Sequence, residues 1–231
     1  MNTWFASHPD RRKAMLETIR SEARACARYT GRPEISGRVM DAMEKVERHR
    51  FVPLSMRLAA YADEALPVGH GQTISQPFIV ALMTDLLDLK GDEKVLEIGT
   101  GTGYQTAILA ELARQVFSVE CIPVLADAAR RRIDELGLSQ RVQVRTGNGW
   151  HGWAEEAPFD AVIATAAPER IPEPLSDQLA VGGRMVLPVG PAFASQSLLR
   201  VQKDEHGALD ARDMLPVVFV PLLENPLDER V

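Results

Sequence analysis

Glu97-Ile98-Gly99-Thr100-Gly101-Thr102-Gly103-Tyr104 follows a short apolar, β-branched run and opens an alanine-rich helical pattern. That order reads as the strand-to-helix turn of a nucleotide-binding sheet. Glycines belong in such a turn because the backbone must reverse tightly and admit a ligand where any Cβ would collide. A dinucleotide-binding turn reads G-x-G-x-x-G and rests a pyrophosphate on a bare helix N-terminus. Here the spacing is G-x-G-x-G, and Glu97 stands just ahead of it. A second carboxylate, Glu120, closes the next expected strand about twenty residues later, where it can accept both hydroxyls of a ribose. Each signal alone is weak, since a glycine-rich turn can be a plain loop and an acidic residue after a strand a solvated end. In strand, turn, helix, strand order they indicate a mononucleoside-type cofactor.

Outward from the turn, strands are expected over 94–98, 116–120, 142–145, 160–165 and 184–189, with helices over 104–115, 123–136 and 172–180. This alternation implies a parallel α/β sheet with right-handed crossovers and helices on both faces. After Gly190 the helices stop, and 197–203 and 214–221 read as an antiparallel edge hairpin joined through Glu205-His206-Gly207. Upstream, 11–29 is proline-free and helical, and 36–49 repeats Val39, Met40, Met43 and Val46 at helical spacing. Residues 51–76, broken by Pro53, Pro67, Gly69 and Gly71, read as irregular and able to cover a ligand. Pro77 then starts a helix whose Ile79, Leu82, Met83, Leu86 and Leu87 form a core stripe. The expected division is 1–76 as N-terminal helices and covering segment and 77–231 as the cofactor-binding core, forming one compact unit.

Composition narrows the function classes. The 231 residues are 45% hydrophobic, enough for one substantial core. A net charge of −6 argues against a broad grip on nucleic-acid phosphates. The N-terminal Arg11, Arg12, Arg20, Arg24 and Arg28 are interleaved with Asp10, Glu17 and Glu22, as on a wet helix face. Cys26 and Cys121 lie far apart without metal-ligand spacing, so neither a disulfide nor a metal site is expected. With no signal peptide and no stretch of about eighteen apolar residues, a cytoplasmic protein without membrane contact is expected.

The G-x-G-x-G turn with Glu97 before it resembles S-adenosylmethionine-dependent methyltransferases. The resemblance implies a Rossmann-like class I methyltransferase sheet, mostly parallel with a C-terminal antiparallel edge, plus an N-terminal helical extension. Acidic residues suit that cofactor, which carries a sulfonium and an α-ammonium group. A narrower resemblance rests on Gly69-His70-Gly71-Gln72-Thr73-Ile74-Ser75-Gln76-Pro77. With it go Phe51-Val52-Pro53, Gly147-Asn148-Gly149-Trp150, Pro158-Phe159-Asp160-Ala161, Leu187-Pro188-Val189-Gly190 and Phe219-Val220-Pro221-Leu222. Together, from about residue 32 to residue 223, these resemble protein-L-isoaspartate O-methyltransferases. The resemblance implies methyl transfer to the α-carboxylate of isoaspartyl residues in damaged proteins and peptides, and repair through a methyl ester and succinimide.

For individual residues, the resemblance implies Ser75 as the active-site serine orienting the substrate carboxylate; helix capping is its bland alternative. It implies Gln72, Thr73, Glu97, Gly99, Gly101, Gly103, Glu120, Cys121, Asn148, Gly149 and Thr165 around the cofactor. It implies His70, Val220, Pro221 and Leu222 on the substrate-peptide side, although His70 also reads as a loop filler and 220–222 as an edge strand. Asn148 departs from the family's usual Asp; its carbonyl oxygen can accept the same bond from an adenine amino group without the reinforcing charge. The segment after the fourth core strand, Thr165-Ala166-Ala167-Pro168, lacks the acidic or amide residue followed by Pro-Pro and an aromatic that amino-group methyltransferases use. A carboxylate nucleophile is already ionised at neutral pH and needs no strong base. The competing readings are a methyltransferase of the same fold acting on RNA or a small molecule, and a non-catalytic cofactor-binding module.

Overall fold

The computed structural model describes residues 7–222. Helix α1 (His8–Thr30) starts at Ser7, whose hydroxyl and the Asp10 carboxylate form a reciprocal capping box, and ends at Gly31 in the left-handed region. Met15, Leu16, Ile19 and Ala23 are its buried stripe. Helix α2 (Gly37–Lys45) buries Val39, Met40, Ala42 and Met43, the spacing that predicted it.

Residues 51–76 are more ordered than their prolines and glycines suggest. Strands β1 (Leu66–Gly69) and β2 (Gln72–Ile74) form an antiparallel hairpin. Its two-residue turn is His70-Gly71, with φ of 54° and 68°, the backbone of a type I′ turn. The expectation of an irregular segment is therefore corrected: the glycines that break longer elements are what a tight hairpin requires.

Helix α3 (Pro77–Leu86) leads into strand β3 (Lys94–Ile98), helix α4 (Tyr104–Leu112), strand β4 (Gln115–Glu120), helix α5 (Pro123–Glu135) and strand β5 (Val142–Thr146). Strand β6 (Phe159–Ala164), helix α6 (Glu173–Gln178) and strands β7 (Leu179–Val189), β8 (Gln196–Lys203) and β9 (Leu209–Val217) complete the chain. The seven-stranded sheet has the order β5-β4-β3-β6-β7-β8-β9, parallel from β5 to β7 and antiparallel from β7 to β9. This is the Rossmann-like class I methyltransferase architecture expected from the sequence, with its antiparallel edge and N-terminal helices.

The edge hairpin differs in register from the expectation. Its second strand begins at Leu209, because the Asp204 carboxylate accepts bonds from the His206 and Ala208 amides and closes a tight turn. Residues 218–221, assigned to that strand by pattern, leave it and run back across the sheet end. Period-two alternation sends Val95, Val116, Ala161 and Val186 to one apolar layer, and Leu96, Phe117, Val162 and Leu187 to the other. Strand order reverses about β3, so the crevice beyond the carboxyl ends of β3, β4 and β6 is the topological switch point where such sheets bind ligands.

Candidate active site

A cleft of about 950 Å³ opens at that switch point. Its floor is the end of β3 and the turn after it, Ile98 to Thr102, together with Glu120, Cys121 and Ile122 after β4. Asn148 and Gly149 follow β5, and Thr165 and Ala166 follow β6. One wall is the hairpin and the segment to α3, including His70, Gln72, Thr73, Ser75 and Gln76. The opposite wall is the C-terminal run from Leu215 to Leu222. Of the sequence-derived candidates, all but two line this one space.

The exceptions are Glu97 and Gly103. Glu97 pairs with Ser118 inside the sheet, and its carboxyl is fully buried beneath the glycine turn. One oxygen accepts bonds from Thr106 Oγ1 at 2.5 Å and Ser118 Oγ at 2.6 Å. Burial pushes its pKa up to about 8 against the lowering effect of those two hydroxyls, with the Glu120 charge raising it further. The expectation that Glu97 faces a cationic cofactor is corrected: it braces the turn from below. Gly103 starts α4 and faces Ala129 and Ile133 of α5 at ordinary contact distance, so its place is helix packing.

Glu120 is the carboxylate presented to the cleft. Its oxygens accept from the Gly101 amide at 2.7 Å and the Ile122 amide at 3.0 Å, which fixes the group while leaving lone pairs for a ligand. Beside it, burial and then the Glu120 charge raise the Cys121 thiol to about 11, so the sulfur is neutral at physiological pH. Gly99 adopts φ of 92°, and a Cβ there would lie 2.4 Å from Thr165 Oγ1, which itself donates to the Gly99 carbonyl at 2.7 Å. A Cβ on Gly149 would stand 2.5 Å from Ile98 Cγ2. Asn148 Oδ1 accepts from the Trp150 amide at 2.9 Å, which orients the side chain at the end of β5.

The covering wall is held by residues that sequence reasoning missed. Asp63 accepts from the Phe78 amide at 2.8 Å, capping α3 from a distance, and from Gln76 Nε2 at 2.8 Å. Ser75 therefore does not cap α3, and its hydroxyl makes no hydrogen bond to the described residues. Arg48, fully buried, donates to the carbonyls of Ala60 at 2.8 Å and Glu64 at 3.3 Å and lies 5.0 Å from the centre of the Tyr104 ring. On the opposite wall, Gln196 accepts from the Phe219 amide at 2.8 Å and donates to the Pro191 carbonyl at 3.2 Å. Ala167 binds the Val220 carbonyl and the Leu222 amide, each at 2.8 Å. Pro221 has no amide hydrogen, so fewer backbone groups of 220–222 are left for a peptide than the sequence implied.

The donor set fits an adenosyl sulfonium. The tethered Glu120 carboxylate can accept hydroxyl groups, the glycine turn is open above Gly101, and apolar Ile98, Val119 and Ile122 line the same space. Among the described residues, no lysine or arginine lines the cleft.

The family protein-L-isoaspartate(D-aspartate) O-methyltransferase matches residues 28–226. Protein-L-isoaspartate O-methyltransferase 2 of Syntrophobacter fumaroxidans is 52% identical over 211 residues, covering 91% of this chain and 85% of its own. A solved protein-L-isoaspartate O-methyltransferase superposes with a TM-score of 0.79 at 26% identity, over 93% of this chain and 66% of that one. A Plasmodium falciparum protein, described as a candidate protein-L-isoaspartate O-methyltransferase and solved with S-adenosyl-L-homocysteine, gives a TM-score of 0.76 at 23% identity, covering 92% and 98%. It shares the fold.

Proposed function

Because the chain belongs to the protein-L-isoaspartate(D-aspartate) O-methyltransferase family, we propose that it methylates the α-carboxylate of L-isoaspartyl residues in damaged proteins and peptides. S-adenosylmethionine is the methyl donor. The ester then closes spontaneously to a succinimide and gives the damaged chain a route back to aspartate. The observation that carries this reading is that the glycine turn, the 72–76 segment and the 220–222 segment share one cleft without a lysine or arginine.

S-adenosylmethionine supplies, when bound, an electrophilic methyl group on a positively charged sulfur. The chain's residues divide into those that hold it and those that aim the nucleophile. Glu120 would accept the ribose hydroxyls, and its two backbone amide bonds keep it from turning away. Gly101, open on its Cβ side, would leave room for the amino-acid portion above the packed pair of Gly99 and Thr165; Cys121, Asn148 and Gly149 would meet the adenine. Gln72 and Thr73 close the methyl-donor side. Ser75, whose hydroxyl is not spent on capping α3, donates to the substrate carboxylate and orients it.

No general base is required, since a carboxylate is ionised at neutral pH. The absence of a lysine or arginine in the described lining matters chemically: an anion held by a fixed cation would be a poorer nucleophile. Orientation and exclusion of water are then the chain's main contributions to rate. Val220, Pro221 and Leu222 guide the peptide, with His70 at the rim. We place this activity in the cytoplasm; no described helix is long and apolar enough to cross a membrane.

The reading is tested by incubating the protein with methyl-labelled S-adenosylmethionine and either an isoaspartyl peptide or its normal aspartyl twin. Label is expected only in the isoaspartyl peptide, because only there is the α-carboxylate displaced from the main chain. Equal labelling of the two would reject it.

A further inference from the structure

The cleft has an end that the family match does not cover. Helix α1 contributes Glu22 and Cys26, one turn apart on the same face, to the lining. The family's match begins at residue 28, after both residues. Helix α1 packs against α3 and β9, which sets Glu22 beside the strand that leads into the C-terminal wall. The same cleft is lined by Phe193 and Val218, which are 85% and 76% exposed, together with Leu215 and Phe219. Large apolar side chains left open at the edge of a cleft are suited to a ligand that covers them.

Glu22 is half-buried, yet it makes no hydrogen bond and no ion pair with any described residue. Glu120, the other acidic residue of the lining, has both oxygens bonded to backbone amides. With no described lysine or arginine in the cleft, nothing in the lining neutralises Glu22. The Cys26 thiol is raised first by burial and then by the Glu22 charge, while the Arg28 charge lowers it, so the carboxylate acts on the same space. A partly desolvated carboxylate next to apolar surface matches a lysine or arginine, whose aliphatic stem packs while its head pairs.

We propose that Glu22 is a specificity-determining residue that pairs with a lysine or arginine flanking the substrate's isoaspartyl residue, whose stem rests against Phe193 and Val218. The proposal rests on the isoaspartyl reading of the site. A glutamate at the same flanking position meets like charge and is disfavoured.

The test uses isoaspartyl peptides identical except for one flanking position, scanned on both sides as Lys, Ala or Glu. The readout is the ratio of KM for the Glu peptide to KM for the Lys peptide, taken on one preparation so that any loss of folded protein cancels. For the wild type, a ratio of about five or more is expected at one position at low salt, equivalent to about 1 kcal/mol. It should shrink in about 1 M salt as the pair is screened. Glu22→Gln should bring the ratio close to one, and Glu22→Arg should invert it. A wild-type ratio near one at every position, or a ratio unchanged in Glu22→Gln, overturns the proposal while leaving isoaspartyl methylation intact. If no peptide of the set is methylated, the family reading itself fails and the proposal falls with its premise.

Discussion

Replacing Glu97 with glutamine should change how stability depends on pH, with a sign fixed by where the carboxyl sits. Glu97 is fully buried, and its Oε1 has no hydrogen-bond partner among the described residues. Its pKa rises from 4.5 to about 8, chiefly through burial. The folded chain therefore keeps a proton that the unfolded chain releases above pH 4.5. For such a group the stabilising contribution is fully present below pH 4.5 and is lost as pH climbs to about 8. Each pH unit inside that window removes about 1.4 kcal/mol, so on the order of 3 kcal/mol disappears between pH 5 and pH 7. Glutamine keeps the shape and can still accept from Thr106 and Ser118, but it carries no proton to lose. The quantity to measure is the difference in unfolding free energy between variant and wild type, by denaturant titration at pH 5, 7 and 9. It should move in favour of Glu97→Gln from pH 5 to pH 9, with most of the change below pH 8. In thermal scans the same change corresponds to a relative Tm shift on the order of 5 to 10 °C. A difference that stays constant across this range would show that Glu97 ionises as freely when folded as when unfolded, and the assignment of a buried neutral acid beneath the glycine turn would be wrong.

The cofactor and substrate residues separate by the parameter they affect. Glu120→Ala should weaken S-adenosylhomocysteine binding by about 2 to 4 kcal/mol in calorimetry, the loss of two bonds to a charged acceptor, and unchanged affinity would remove Glu120 from the site. Ser75→Ala should lower kcat by about ten- to a hundredfold while cofactor affinity and Tm stay near wild type, since α3 is capped by Asp63; a lower Tm with full turnover would contradict the orienting role. Asp63→Ala should do the reverse, destabilising the fold by about 1 to 2 kcal/mol through loss of the cap and of the Gln76 contact, and a variant with wild-type Tm would show that the covering wall is held elsewhere.

The sheet was legible because its signals are local and repeated. β-branched runs, a glycine turn and proline-started helices each announce themselves within a few residues, and their alternation leaves few topologies open. Errors fell where side chains override pattern. The Asp204 carboxylate gathers two backbone amides and starts β9 at Leu209, ahead of the apolar run that marked it in the sequence. The 66–74 hairpin was hidden because its strands are only four and three residues long, too short for alternation to register.

At the site, the sequence located what the strand ends carry and misjudged what is held from afar. Glu97 and Glu120 look alike as acidic residues at the ends of neighbouring strands and share one face of the sheet. Register decides which one meets the ligand: Glu97 pairs with Ser118, whereas Glu120 lies two residues farther along β4, past the end of β3. Glu97 precedes the last residue of β3 and lies beneath the turn, whereas Glu120 is the last residue of β4 and stands over it. Asp63, Arg48 and Gln196 gave no motif because each works across a long separation in sequence: Asp63 reaches Phe78, Arg48 reaches Ala60, and Gln196 reaches Phe219. Yet Asp63 and Arg48 tie the covering side together and Gln196 the opposite wall. A cleft that must align a weak nucleophile without a base or a fixed cation depends on that rigidity, since a misplacement of about 1 Å at the reacting atoms can cost on the order of a hundredfold in rate. Polar anchors far from the glycine turn therefore bear on alignment as well as on stability.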